Sequence, residues 1–215
     1  MNLNTLTFQP VQQSINLGQG TDISIETGRI AKQAAGSVVI RQGDTMVLVA
    51  VCHAVPRQEL DYFPLSVDYR EAVFAAGKIP GGWFKREGKA TTKETLTSRL
   101  IDRPLRPLFE EGYNAEVMVT AQVISYDGIH APETLAMTGA SAALIISEIP
   151  FHQAVGGVRV GRVQGQFVIN PTTSQRKESD LDLLRAGTHE AIVMVECGAQ
   201  EVNEADMVQA LVFGH

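Results

Sequence analysis

The chain has 215 residues, is 44% hydrophobic and 20% charged, and carries a formal net charge of −6. These are ordinary values for a globular protein, and the length is ample for a buried core. No apolar run approaches the roughly 20 residues that span a bilayer, and the first ten residues lack the basic start and apolar stretch of an export signal, so a cytoplasmic protein with no membrane contact is expected.

In chain order, residues 22–26 alternate, with Ile23 and Ile25 on one side and Asp22, Ser24 and Glu26 on the other, which predicts a strand. Residues 37–41 and 45–55 are valine-rich and flank Gly43-Asp44, a hairpin signature. The second of these strands is almost wholly apolar and is expected to be buried on both faces. Residues 64–69 form a further candidate strand. Residues 75–82 hold three glycines and a proline and read as a loop.

Thr91 and Glu94 have the spacing of a capping box, so a helix is expected to begin there. Pro104 predicts its end near Asp102. Leu96 and Leu100 would form its apolar stripe, with Arg99 and Arg103 on a neighbouring face. A strand is expected over 116–125, then a small-residue helix over 132–149 able to pack closely on a sheet. Residues 158–163 with 166–169, and 181–186 with 191–197, read as two more hairpins, and 204–212 as a closing helix. Strands and helices fall in blocks with several hairpins, which predicts an α+β fold with mixed sheets in a single domain over 1–215. The chain stops at Val212-Phe213-Gly214-His215, near the end of that helix, which reads as a fragment of a longer protein.

Cys52 and Cys197 sit in β-branched surroundings and are expected to be buried structural thiols. Their spacing suggests no zinc or redox site. His53, His130, His152 and His189 show no ligand spacing. Gly18-Gln19-Gly20 lacks the third glycine of a dinucleotide fingerprint.

The charge is uneven. Between Arg70 and Arg106 stand nine basic and four acidic residues; the rest of the chain holds nine basic and twenty acidic ones. One basic segment on an acidic body points to a localised anion site, with a solvated helix face as the alternative. Within it, Trp83-Phe84-Lys85-Arg86 places two aromatics beside two cations, followed by Lys89, Arg99 and Arg103. Single-stranded nucleic acid needs both parts: rings stack on bases and cations track phosphates. The alternative for Trp83 and Phe84 is burial in the core.

Several runs resemble the first core domain of the polynucleotide phosphorylase family. They include residues 63–65, 75–81 and 84–88, the 99–109 run Arg-Leu-Ile-Asp-Arg-Pro-Leu-Arg-Pro-Leu-Phe, and residues 139–144, 181–183, 186–188 and 194–196. The resemblance is collinear over nearly the whole chain. It implies an RNase PH-like (ribosomal protein S5 domain 2-like) fold. It further implies a parent enzyme that degrades RNA from the 3′ end by phosphorolysis, using Mg2+ and inorganic phosphate and releasing nucleoside diphosphates. That parent would carry a second RNase PH-like domain, a helical linker, and KH and S1 domains, form a homotrimeric ring, and engage RNA degradosome components.

By the same resemblance, Trp83, Phe84, Lys85, Arg86, Lys89, Arg99 and Arg103 line a channel for single-stranded RNA. Typical members have Phe-Phe-Arg-Arg where this chain has Trp83-Phe84-Lys85-Arg86. The positions matching the family's phosphate-binding serines read Pro132 and Glu133. Those matching its Asp, Asp and Lys read Arg176, Asp182 and Leu184. The expectation is therefore no catalytic residue and no metal ligand in this chain, and no phosphorolysis by it alone. A non-catalytic ring or scaffold subunit that threads RNA is the alternative, and a standalone transfer-RNA-end nuclease a weaker third.

Overall fold

The fold is given by a computed structural model, which describes residues 9–18, 22–55, 61–81 and 87–215. In order the chain forms β1 (Val11–Ile15), β2 (Ile23–Thr27), β3 (Gly36–Gln42), β4 (Thr45–Ala54), β5 (Leu65–Glu71), α1 (Thr92–Leu105), β6 (Glu116–Ser125), α2 (Pro132–Ile145), β7 (Gly156–Val163), β8 (Gln166–Ile169), α3 (Thr173–Glu178), β9 (Leu181–Gly187), β10 (Ile192–Ala199) and α4 (Glu204–Gly214). Two sheets result, in the order β1-β2-β3-β4-β6-β5 and β10-β9-β7-β8.

All three expected hairpins are present, β3–β4, β7–β8 and β9–β10, each antiparallel. Among the described residues the exception to antiparallel pairing is β5 beside β6, which run parallel. Parallel neighbours need a crossover, and α1 supplies it. The basic segment of the sequence is therefore the crossover of a βαβ unit.

α2 lies between the sheets, against β3, β4 and β6 on one side and β7 on the other. A helix apolar on all sides belongs in a core, and Leu135, Ala136, Met137, Ala140, Ala143 and Leu144 are fully buried. Its small residues set the closeness: a Cβ on Gly139 would come within 2.9 Å of Val49 and 3.0 Å of Ile40. A second, smaller core of Val160, Leu181, Leu183 and Ala210 joins α4 to the other sheet.

Several expectations need correction. α1 runs through Pro104 to Leu105, because the proline falls in the last turn and the ladder resumes beyond it, with Arg106 N–H donating to Asp102 O. The buried stripe of α1 is Glu94, Thr97, Ile101, Pro104 and Leu105; of the two expected leucines, Leu100 packs half-buried against the core, while Leu96 is 52% exposed. α2 ends at Ile145 rather than 149. β4 is buried on one face only, at Thr45, Val47, Val49 and Val51, with its last three residues exposed. Both cysteines are exposed rather than buried: Cys52 lies on that exposed end of β4 and Cys197 on the edge strand β10. Strand β1, exposed throughout, and the short α3 carried no sequence signal strong enough to be expected.

Candidate nucleic-acid interface

α1 is held rigidly from its first turn. Thr91 and Glu94 form the expected capping box. Glu94 accepts from the backbone N–H of Thr91 at 2.6 Å and, with its other oxygen, from that of Glu71 at 2.8 Å. Burial works to raise the Glu94 carboxyl, but these hydrogen bonds outweigh it and hold it below its ordinary value. One turn on, Ser98 Oγ accepts from Tyr69 N–H at 3.0 Å. The inner face of α1 is thus pinned to β5, and the opposite face is fixed toward solvent.

That outer face carries Arg99 and Arg103. Both line one groove of about 690 Å3 with Leu96, Leu100, Asp102 and Arg106. Arg99 makes no ion pair among the described residues, and Arg103 has only a 3.7 Å approach to Glu196 of β10. Such an exposed, long ion pair holds an arginine weakly. Two guanidiniums are therefore free to offer planar forks to an incoming phosphate.

Arg106, one turn further, is not free. It donates to both oxygens of Asp102, at 2.6 and 3.1 Å, and to the carbonyls of Phe63 and Leu65, each at 3.0 Å. It acts as a positioning residue that ties the end of α1 to the start of β5. Its role could not be told from that of Arg99 and Arg103 by sequence, since all three share one run.

Lys89 lies elsewhere. It lines a separate cleft of about 940 Å3 at the other end of α1, with Arg70, Glu87, Glu94 and Gln122. The structure thus brings Arg99 and Arg103 together and sets Lys89 apart. Trp83, Phe84, Lys85 and Arg86 lie outside the described residues.

A second cluster of charge joins Glu133, Arg176 and Asp182, each singled out in the sequence, through Arg159, which was not. Glu133, in the first turn of α2, and Asp182, on β9, are bridged by Arg159 of β7. Arg159 donates to Glu133 at 3.0 Å and to Asp182 by a short contact. Arg176 of α3 completes it, 3.1 Å from Asp182 and 3.7 Å from Glu133. Arg159 is 7% exposed and Glu133 6%. Burial works against the Asp182 charge, but the two guanidiniums hold its carboxyl below the ordinary range. Arg159 gave no signal beyond its place in an alternating strand.

These are the positions at which the family resemblance sets phosphate and metal chemistry, and the donor set fits neither. Both carboxylates are already neutralised by Arg159 and Arg176, which leaves no free carboxylate for Mg2+ and no free guanidinium for phosphate. Among the described residues no group of three or more His, Cys, Asp or Glu is placed to hold a metal ion.

Known proteins resemble this chain in sequence and in fold. The family described as "3′ exoribonuclease family, domain 1" matches residues 19–150, and "3′ exoribonuclease family, domain 2" matches residues 153–215. A polyribonucleotide nucleotidyltransferase of Anaeromyxobacter sp. (strain K) is 57% identical over 206 residues, covering 95% of this chain and 28% of that protein. Its counterpart from Myxococcus xanthus (strain DK1622) is 55% identical over 204 residues, again covering 95% and 28%. The chain therefore spans under a third of the length of these relatives. In structure it is similar to rice (Oryza sativa) Rrp46, with a TM-score of 0.73 at 18% identity, covering 93% of this chain and 90% of that one. It is likewise similar to a chain of the Archaeoglobus fulgidus exosome with RNA bound to the active site, with a TM-score of 0.71 at 16% identity, covering 91% and 84%. At these identities the likeness establishes the RNase PH-like fold.

Proposed function

The chain belongs to the 3′ exoribonuclease family, and from that premise we propose that it is the RNA-guiding first core domain of a phosphorolytic 3′-to-5′ exoribonuclease, a polyribonucleotide nucleotidyltransferase. The observation that carries this reading is the groove on α1, where Arg99 and Arg103 stand without strong partners among the described residues, on a helix fixed from behind. An arginine with no internal carboxylate keeps its full charge for a phosphate, and releases the phosphate's counterions on binding.

In this reading Arg99 and Arg103 hold backbone phosphates of single-stranded RNA. Lys89, at the far end of α1, marks an earlier point on the strand's path. Trp83 and Phe84 stack on bases while Lys85 and Arg86 track phosphates; Lys85 keeps the charge of the usual arginine but loses the fork. The reaction belongs to a second RNase PH-like domain of the parent protein. There Mg2+ would neutralise the phosphates as inorganic phosphate attacks the 3′-terminal linkage and a nucleoside diphosphate leaves. This chain contributes no step of that chemistry, since Glu133 and Asp182 are closed by Arg159 and Arg176. The parent is a cytoplasmic homotrimer whose ring encloses the RNA path, with KH and S1 domains and RNA degradosome components as further partners.

Phosphate-dependent RNA degradation with magnesium, compared between this chain and the full-length protein, tests the proposal. Release of nucleoside diphosphates by the full-length protein alone is the expected result. Release by this chain would overturn the assignment of chemistry to the second domain. Activity in neither would point to a non-catalytic RNA-threading ring.

A further inference from the structure

A second surface of the molecule has the opposite character to the arginine groove. Phe63, Phe109 and Tyr113 form an aromatic cluster at the surface end of the main core. The Phe63 and Phe109 rings lie 4.5 Å apart, and Phe109 and Tyr113 stack at 6.0 Å with 16° between their planes. They floor a cleft of about 350 Å3 whose rim holds Asp61, Tyr62, Glu110 and Glu111. Tyr62 is 62% exposed. Among the described residues Asp61 and Glu111 make no side-chain hydrogen bond or ion pair, and Glu110 has only an exposed contact to His152 at 3.4 Å. The cation at the rim, Arg106, is matched by Asp102, and its guanidinium already lies 5.8 Å from the centre of the Phe63 ring.

We propose that this aromatic cleft docks an arginine- or lysine-bearing segment of a partner protein. The negative face of an aromatic ring attracts a cation. Three carboxylates around the rings supply complementary charge, and guanidinium, weakly hydrated and planar, is suited to such a site. Arg106 over Phe63 shows the same cluster receiving a guanidinium from within the chain. The acidic rim repels phosphate, so the occupant is not the RNA strand of the α1 groove. This inference goes beyond the proposed function and does not depend on it.

Calorimetric titration of the chain with a four-repeat Arg-Gly-Gly peptide tests it, against the same peptide carrying neutral citrulline in place of arginine. The arginine peptide should bind at least roughly tenfold more tightly than its citrulline counterpart. Asp61→Lys/Glu111→Lys should weaken it roughly tenfold. Tyr62→Ser should weaken it by a smaller factor with no change in charge. Glu190→Lys/Glu201→Lys, an equal charge reversal at exposed positions elsewhere, should leave it unchanged. All four charge-reversed positions are exposed, so the variants should fold. Equal losses from the two double reversals would mean diffuse attraction to an acidic body and would overturn the proposal. So would unchanged binding in Asp61→Lys/Glu111→Lys.

Discussion

The arginines of α1 and those between the two sheets are the same residue put to opposite use. Arg99 and Arg103 sit on an outward helix face; among the described residues one has no ion pair and the other a 3.7 Å approach. Arg159 sits between α2 and the second sheet, 7% exposed, bridging Glu133 and Asp182. A solvated guanidinium loses little hydration until a phosphate arrives, so its attraction is available for binding. A buried one has lost its water, and its charge is consumed in holding two internal carboxylates. Pairing, and not the number of arginines, separates the surface proposed to bind RNA from the internal network.

The largest effect is expected on the buried side. Arg159→Leu would leave the Glu133 carboxylate buried with Arg176 as a distant partner, and should destabilise the fold by about 3–5 kcal/mol in urea unfolding. RNA affinity of the folded protein should not move. A loss under about 1 kcal/mol, the range of exposed pairs, would mean that the cluster is hydrated and not a true internal network.

A second internal carboxylate sharpens the contrast through pH. Asp127 accepts from Thr45 Oγ1 at 2.9 Å, from Ile129 N–H at 2.7 Å and from His130 N–H at 2.9 Å, and pairs with His130 Nδ1 at 2.7 Å. Burial works to raise its carboxyl, but these bonds outweigh it and hold it well below the ordinary range. A carboxyl depressed in the folded state stabilises above its unfolded pKa of about 3.9, and that contribution is lost as pH falls toward the folded value. Asp127→Asn should cost about 2–3 kcal/mol at pH 7. The gap to wild type should narrow steadily below about pH 4, and a gap independent of pH would count against a charged Asp127.

At the exposed side the signs reverse. Arg99→Ala/Arg103→Ala should weaken single-stranded RNA binding roughly tenfold, and flatten the logarithmic salt dependence by about 0.7 for each phosphate no longer neutralised. Stability should stay within about 0.5 kcal/mol, as for surface sites without partners. An unchanged salt slope would remove the groove from the RNA path.

The smallest effect is expected at an arginine that fits neither class. Arg185 is 3% exposed, yet its polar partner among the described residues is His215 Nδ1 at 2.8 Å, and burial pushes its guanidinium below the usual range. Because no carboxylate among those residues holds it, Arg185→Met should be neutral or stabilise by up to about 1 kcal/mol. A large loss in thermal unfolding would show that burial alone, without an ion pair, can make an arginine structural.

Local features were legible in the order of residues alone. Alternation at 22–26, the Gly43-Asp44 turn and the Thr91–Glu94 capping box each depend on residues a few positions apart, and each is present in the fold. The 99–109 run was specific enough to identify the family, and it placed Arg99 and Arg103 on one helix face. What each charge does was settled only when distant segments packed. Glu133, Arg159, Arg176 and Asp182 meet because α2 packs between the sheets, and Arg106 is set apart from its neighbours by the approach of Phe63 and Leu65 from 43 and 41 residues away. The exposure of both cysteines and the shift of the buried stripe of α1 to Thr97 and Ile101 follow from the same cause. Burial and ion pairing depend on which surfaces meet, and hydrophobic period and turn chemistry do not encode that for residues distant in the chain.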